Sequence, residues 1–244
     1  MTDFPKKDVY TLSDLHRLTR LLRAPDGCPW DRVQTHSSIR RDFLEEAYEA
    51  VEAIDRDDPE MLCEELGDVL FQVVFHAVIE EERERCSLDD IITGITRKML
   101  TRHPHVFGDV TVSGEGEVLT NWEQIKNDSK GVHSASETLR LVPETFPALM
   151  KADKLIKRAD KAGAAAGQKL AAGLDEACRN FQAAQDCDAS QALGSLLLAV
   201  VAAAREKGVD AEMSLLEACK GLVERFESAE KLSEQKGLPM EETF

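Results

Sequence analysis

Apolar residues recur along most of this chain at intervals of three and four, the period of a helix with one buried face. Leu15, Leu18, Leu21 and Leu22 form the first stripe, in a helix that begins at Ser13 or Asp14 and stops before Ala24-Pro25-Asp26-Gly27. After the loop Gly27-Cys28-Pro29-Trp30-Asp31, a second helix over about 38–54 carries Leu44, Ala47, Val51 and Ile54. A third runs to about Glu84 and carries Leu62, Leu66, Val69, Leu70, Val73 and Val74. The turn between them, Asp57-Asp58-Pro59, supplies an N-cap at Asp58 and a proline at the first helical position. Ser87-Leu88-Asp89-Asp90 has the form of a capping box and opens a fourth helix to about Arg102, which His103-Pro104-His105 breaks. Residues 108–118 read as a loop, Asn121–Asn127 as a short helix and Asp128–Glu137 as a linker. Beyond Pro143 and Pro147 a second helical region extends to about Gly237. No segment shows the alternation of a strand, so the expected fold class is all-α, a helical bundle.

The pattern also repeats. Leu44-Glu45-Glu46-Ala47 aligns with Leu174-Asp175-Glu176-Ala177 at an offset of 130, and Leu66–Ala77 with Leu193–Ala204 at an offset of 127. The second block holds six identities in twelve positions, among them Leu66/Leu193, Gly67/Gly194, Val73/Val200 and Val74/Val201. Two blocks recurring in the same order indicate tandem related helical units, the second with a shorter connection between its helices.

Composition narrows the function. The 30 Lys and Arg against 46 Asp and Glu give a net charge of −16, which disfavours nucleic acid and anionic membranes as partners. No stretch approaches a membrane span, and MTDFPKKDVY lacks the apolar core of a signal peptide. The six cysteines are scattered without a C-x-x-C pair, which fits reduced thiols and a cytoplasmic protein.

The chemistry concentrates in Glu45-Glu46-Ala47-Tyr48-Glu49 and Glu64-Glu65-Leu66-Gly67-Asp68. Glu46 and Glu49 share a helix face, as do Glu45 and Glu49, and Glu65 and Asp68 form the same pair on the next helix. A short turn makes those helices antiparallel neighbours, and if the two pairs face each other four or five carboxylates converge on one pocket. Like charges at that density need a cation, and oxygen-only ligands suit Mg²⁺, with Mn²⁺ as a substitute. Magnesium commonly binds substrate phosphates as well. A di-iron site would use Glu-x-x-His pairs, and the chain has none. The histidines His16, His36, His76 and His133 read as isolated, His103 and His105 as capping groups, Cys28 and Cys63 as packing residues, and Trp30 as a loop anchor.

This acidic pattern resembles the EExxE…ExxD signature of the MazG-type nucleoside triphosphate pyrophosphohydrolases, of the all-α NTP pyrophosphatase superfamily. Gly27–Asp31, Glu65–Gln72, Arg102–Phe107 and Asn121–Lys126 look like that family too, so the resemblance covers about residues 10–130. It implies a dimeric all-α enzyme that uses Mg²⁺ to hydrolyse nucleoside triphosphates between the α- and β-phosphates, releasing monophosphate and pyrophosphate. By the family pattern Glu46, Glu49, Glu65 and Asp68 match the metal ligands. Glu46 counts with Glu45 as catalytic, and Glu45 either orients the attacking water or adds a ligand. Lys98, Arg102 and Lys126 match basic positions facing the triphosphate, and Trp122 packs near the nucleotide.

The expected organisation is therefore a catalytic domain over 10–130 and a degenerate second copy over 138–238, serving as scaffold or dimerisation partner. In that copy Arg179 stands for Glu49, Ala192 for Glu65 and Ser195 for Asp68. Loss of those acids raises the alternative of a nucleotide-binding regulator without turnover.

Overall fold

The computed structural model describes residues 4–128 and 134–244, and every regular element in them is helical. The chain divides into two compact units, Met1–Lys126 and Asn127–Phe244.

The first unit is assembled around one long helix. In chain order its elements are α1 (Leu12–Arg23), α2 (Pro29–Val33), α3 (Arg40–Asp55), α4 (Pro59–Glu82), α5 (Leu88–Arg102), α6 (Pro104–Phe107) and α7 (Glu115–Asp128). Helix α4 packs against α1, α3 and α5. Local chemistry sets most of the boundaries. Thr11 and Asp14 form a capping box that starts α1 slightly ahead of Ser13. Asp58 Oδ1 accepts from the backbone N–H groups of Glu60 and Met61, and Pro59 opens α4. Ser87 and Asp90 cap α5 reciprocally.

Residues read as loop are more helical than their sequence suggests. Pro29–Val33 forms a helical turn without a side-chain N-cap, and α7 begins at Glu115 rather than Asn121. Arg23 explains the first of these. Its buried guanidinium donates to the carbonyls of Asp31 and Gln34, pairs bidentately with Glu82 and lies 5.0 Å from the Phe75 ring. The Arg23 fork, not Trp30, anchors this segment; Trp30 is 58% exposed.

Two small apolar clusters hold α4. Ile39, Phe75 and Ile79 pack together with Phe71 against them, and Val74, Ala77 and Leu88 pack with Leu15. Not every residue of the sequence stripes is inside. Leu44, Ile54, Leu66 and Leu70 are exposed, while Ala50 and Ala53 supply the buried positions of α3. The α3–α4 hairpin thus has one face turned inward and a second apolar face turned outward.

The second unit repeats this plan with α8 (Ala135–Arg140), α9 (Ala148–Lys161), α10 (Ala166–Ala172), α11 (Leu174–Ala183), α12 (Ala189–Glu206), α13 (Ala211–Lys236) and a final 3₁₀ turn, Met240–Glu242. Helix α12 packs on α9, α10, α11 and α13, with Ala152, Ile156, Val201 and Ala202 as its core. The α11–α12 hairpin falls where the repeat places it, opposite α3–α4 in the alignment. Gly237, left-handed at φ 65°, ends α13 by donating its N–H to the Ser233 carbonyl. Among the described residues no helix is long and apolar enough to cross a membrane.

Candidate active site

The turn between α3 and α4 decides what faces what. Asp57 takes a left-handed conformation at φ 52°, reversing the chain within three residues and laying the helices antiparallel. Glu46 and Glu49, one turn apart on α3, then meet Glu65 of α4. One carboxylate oxygen from each of the three lies within 4.8 Å of the others. Glu65 is buried, Glu46 is half-buried and Glu49 is exposed, so the trio forms the wall of an open acidic slot.

Two of these three carboxylates, Glu46 and Glu65, hold their protons more tightly than usual. Burial raises the pKa of Glu46 first, followed by the charges of Asp68, Glu49, Asp42 and Glu45. Glu65 is raised by burial, then by Glu49, Glu64, Asp68 and Glu46. Every charge named among these causes is negative. A hard divalent cation is the ordinary remedy for such a set, and an all-oxygen donor group a few ångströms across fits it.

The remaining candidates fall around this trio in different ways. Asp68 is exposed one turn beyond Glu65; its carboxylate lies outside the 4.8 Å group, yet among the charges it acts most strongly on Glu46. Glu45 also lies outside, in an i, i+4 ion pair with Arg41 at 2.8 Å. Arg102 and Trp122 come together, the guanidinium 5.3 Å from the indole ring. The His103 ring meets the same indole edge-on at 4.9 Å and holds the Met99 carbonyl at 2.6 Å through Nδ1, as a capping group would. Lys126 follows Trp122 by one turn of α7, and Lys98 is exposed on α5.

Two features escaped the sequence. His36 and His76 are not isolated: their Nδ1 atoms lie 2.7 Å apart, their rings stack, and His36 Nε2 meets Glu80 at 2.5 Å. His16 likewise pairs with Glu81 at 2.9 Å. Partners 40 and 65 residues away leave no local signal. His133 lies outside the described residues. The second is Gln72, buried on α4 with its Oε1 unpartnered. Cys63 is exposed rather than packed, and all six cysteines are free thiols.

The matching face of the second unit has other chemistry. Glu176, Asn180, Asp188, Gln191, Ala192 and Ser195 border an open cavity of about 480 Å³ between α11 and α12. With Ala192 and Ser195 at the positions of Glu65 and Asp68, α12 contributes no carboxylate at those two positions.

Residues 34–107, which include the whole α3–α4 hairpin, match the MazG nucleotide pyrophosphohydrolase domain family. The chain is 38% identical over 232 residues to the nucleoside triphosphate pyrophosphohydrolase/pyrophosphatase MazG of Thermotoga maritima, a match spanning 94% of this chain and 89% of that protein. It is 37% identical over 231 residues to the nucleoside triphosphate pyrophosphohydrolase of Escherichia coli K12, covering 91% and 88%. It is also 51% identical over 148 residues to the uncharacterized protein YabN of Bacillus subtilis, covering 61% of this chain and only 30% of that longer protein.

Proposed function

The chain belongs to the MazG family, and from that premise and the α3–α4 acid slot we propose that it is a Mg²⁺-dependent nucleoside triphosphate pyrophosphohydrolase. It splits water across the bridge between the α- and β-phosphates and yields nucleoside monophosphate and pyrophosphate. The observation that carries this reading is the convergence of Glu46, Glu49 and Glu65 within 4.8 Å.

Glu46, Glu49 and Glu65 hold the cation in this reading, and Asp68 completes the set from one turn along α4. When bound, the ion neutralises phosphoryl charge and acidifies a coordinated water. Glu45 stands outside the trio, so of its two open roles we assign it the orientation of the attacking water. Its exposed pair with Arg41 costs little to break. Lys98, Arg102 and Lys126 receive the β- and γ-phosphates as the leaving group, and Trp122, braced by Arg102, packs near the nucleotide. Local positive charge is a necessity in a chain of net charge −16, which otherwise repels a polyanion. Nucleotide-pool housecleaning is the corresponding cellular role, in the cytoplasm.

A homodimer is part of the same proposal. Leu44, Tyr48, Leu66 and Leu70 are each more than 40% exposed on the outer face of the α3–α4 hairpin, and an apolar helical face of this kind calls for a partner.

The test incubates the full chain with each common ribo- and deoxyribonucleoside triphosphate, with Mg²⁺ or chelator, and assays monophosphate and pyrophosphate directly. Expected is Mg²⁺-dependent release of both, abolished in Asp68→Ala and retained in Ser195→Ala. Orthophosphate without pyrophosphate would overturn the reading. The acid-poor second unit motivates one rival, a nucleotide-binding regulator; nucleotide binding without any product would establish it.

A further inference from the structure

Gln72 carries the only buried side-chain oxygen or nitrogen without a hydrogen-bond partner among the described residues, its Oε1. Only 9% of the residue is exposed. An acceptor withdrawn from water without a donor is costly, so its retention calls for a donor that arrives from elsewhere.

Its position says where. Gln72 follows Glu65 by seven residues, two helical turns, and seven residues bring a helix back to within about 20° of the same face. Glu65 and Gln72 are the two buried polar residues of α4, and Glu65 faces α3 through its contact with Glu46 and Glu49. The antiparallel register that sets Glu49 beside Glu65 also sets Ile39 against Phe75. Between those two levels it brings the Asp42 and Gln72 positions opposite one another. The acidic slot therefore ends at Gln72, where the apolar cluster of Ile39, Phe71, Phe75 and Ile79 begins.

The slot itself offers Gln72 no donor. As carboxylates, Asp42, Glu46 and Asp68 offer acceptor oxygens, and an amide oxygen gains nothing from those. At 1.5 Å per residue, Gln72 stands roughly 10 Å along the helix from Glu65 and roughly 6 Å from Asp68, so a water on an ion held by Asp68 is the rival donor that the experiment below separates. The residues next along the hairpin, Ile39, Phe71 and Phe75, are apolar, so a ligand group that reaches past the acids and displaces enough of this end to meet Oε1 has the character of a nucleobase.

We infer that Gln72 is the base-reading residue of this site, its Oε1 accepting a hydrogen bond from an N–H of the substrate's nucleobase. This rests on the pyrophosphohydrolase reading above. It makes base preference depend on a donor of the substrate rather than on pocket size alone.

The experiment pairs substrates that differ by that donor. ATP is compared with the triphosphate of purine riboside, which lacks the 6-amino group, and UTP with N3-methyl-UTP, each by kcat/KM on the full chain. In the wild type, loss of the donor should lower kcat/KM by about tenfold or more in at least one pair. In Gln72→Leu the same pair should differ by less than about twofold, with the Mg²⁺ dependence unchanged. Gln72→Met serves if the leucine variant does not fold. Equal treatment of both pairs by the wild type overturns the assignment, as does discrimination that survives in Gln72→Leu. So does an effect of the substitution confined to the Mg²⁺ requirement, which would place a metal-bound water on Oε1. If the wild type releases no pyrophosphate from any substrate, the activity reading fails by itself. The same pairs compared by calorimetric binding then still decide the role of Gln72.

Discussion

The Nδ1 atoms of His36 and His76 lie 2.7 Å apart, a separation that leaves room for one proton between the two rings. His36 Nε2 donates to Glu80, whose other partner is Arg85, so a neutral His36 must accept at Nδ1 and His76 must donate there.

This pair gives the fold a pH dependence with a definite sign. Burial, and then the neighbouring His36, lowers the pKa of His76 below its ordinary 6.5, with Glu80 opposing weakly. The unfolded chain therefore binds more protons just below pH 6.5, and stability complete above that value is lost as pH falls. Thermal midpoints measured between about pH 7.5 and 5.5 should decline in the wild type and decline less in His76→Gln. Parallel curves would show that the pair does not govern this window. Glu80, held below its usual range by Arg85 and His36, adds a separate loss at more acid pH.

The acid slot works in the opposite direction. Glu46 and Glu65 have raised pKa values, so their folded-state advantage exists below the ordinary carboxylate pKa of 4.5 and is lost as pH rises through the folded values. Without metal, Glu65→Gln should raise the thermal midpoint at pH 7. The same substitution should remove the stabilisation by Mg²⁺ and lower kcat by roughly a hundredfold or more. Calorimetric scans with and without Mg²⁺ separate the two effects, and a variant still stabilised by Mg²⁺ would remove Glu65 from the ligand set.

Arg23 should be among the most costly residues of the first unit to lose. Arg23→Ala leaves two backbone carbonyls and Glu82 without their donor and uncovers Phe75, at a cost of about 2–4 kcal/mol by denaturant titration. Arg23→Lys should recover little of it, because an ammonium cannot reproduce the planar fork.

Asp57 offers a gain. Its φ of 52° carries a small penalty for any side chain, and the turn position is exposed. Asp57→Gly should be neutral to stabilising by up to about 1 kcal/mol, read from the same titrations, and a clear loss of stability would show that the left-handed turn carries no strain worth relieving.

What could be read in the sequence was what short-range physics controls. Asp58, Pro59 and Ser87 announced their helix ends because capping acts within three residues. The spacing of Glu46, Glu49 and Glu65 announced the slot because a helix face and a short turn suffice to build it. Trp30 and the Pro29–Val33 turn were misread because their structure depends on Arg23 and, through it, on Glu82, 59 residues away. Leu66 and Leu70 look like core residues in a periodic stripe, yet periodicity does not say which apolar face is covered within one chain. The placement of Asp68 and Glu45 outside the trio is a matter of rotamers and neighbours, which spacing does not encode.

Helix α4 runs unbroken for 24 residues, roughly 36 Å, from the Asp58 cap past the acids and Gln72 to the ends gripped by His36 and Arg23. Since α1, α3 and α5 all rest on it, there is no small segment whose release frees Glu65 alone. The amide protons of its middle turns should exchange with solvent only when the first unit opens as a whole, so hydrogen exchange there reports global stability. A tracer of isotope at Val74 or Val78 then reads, at a distance, whether the slot is filled, since any ion that favours the closed state slows every one of those protons together.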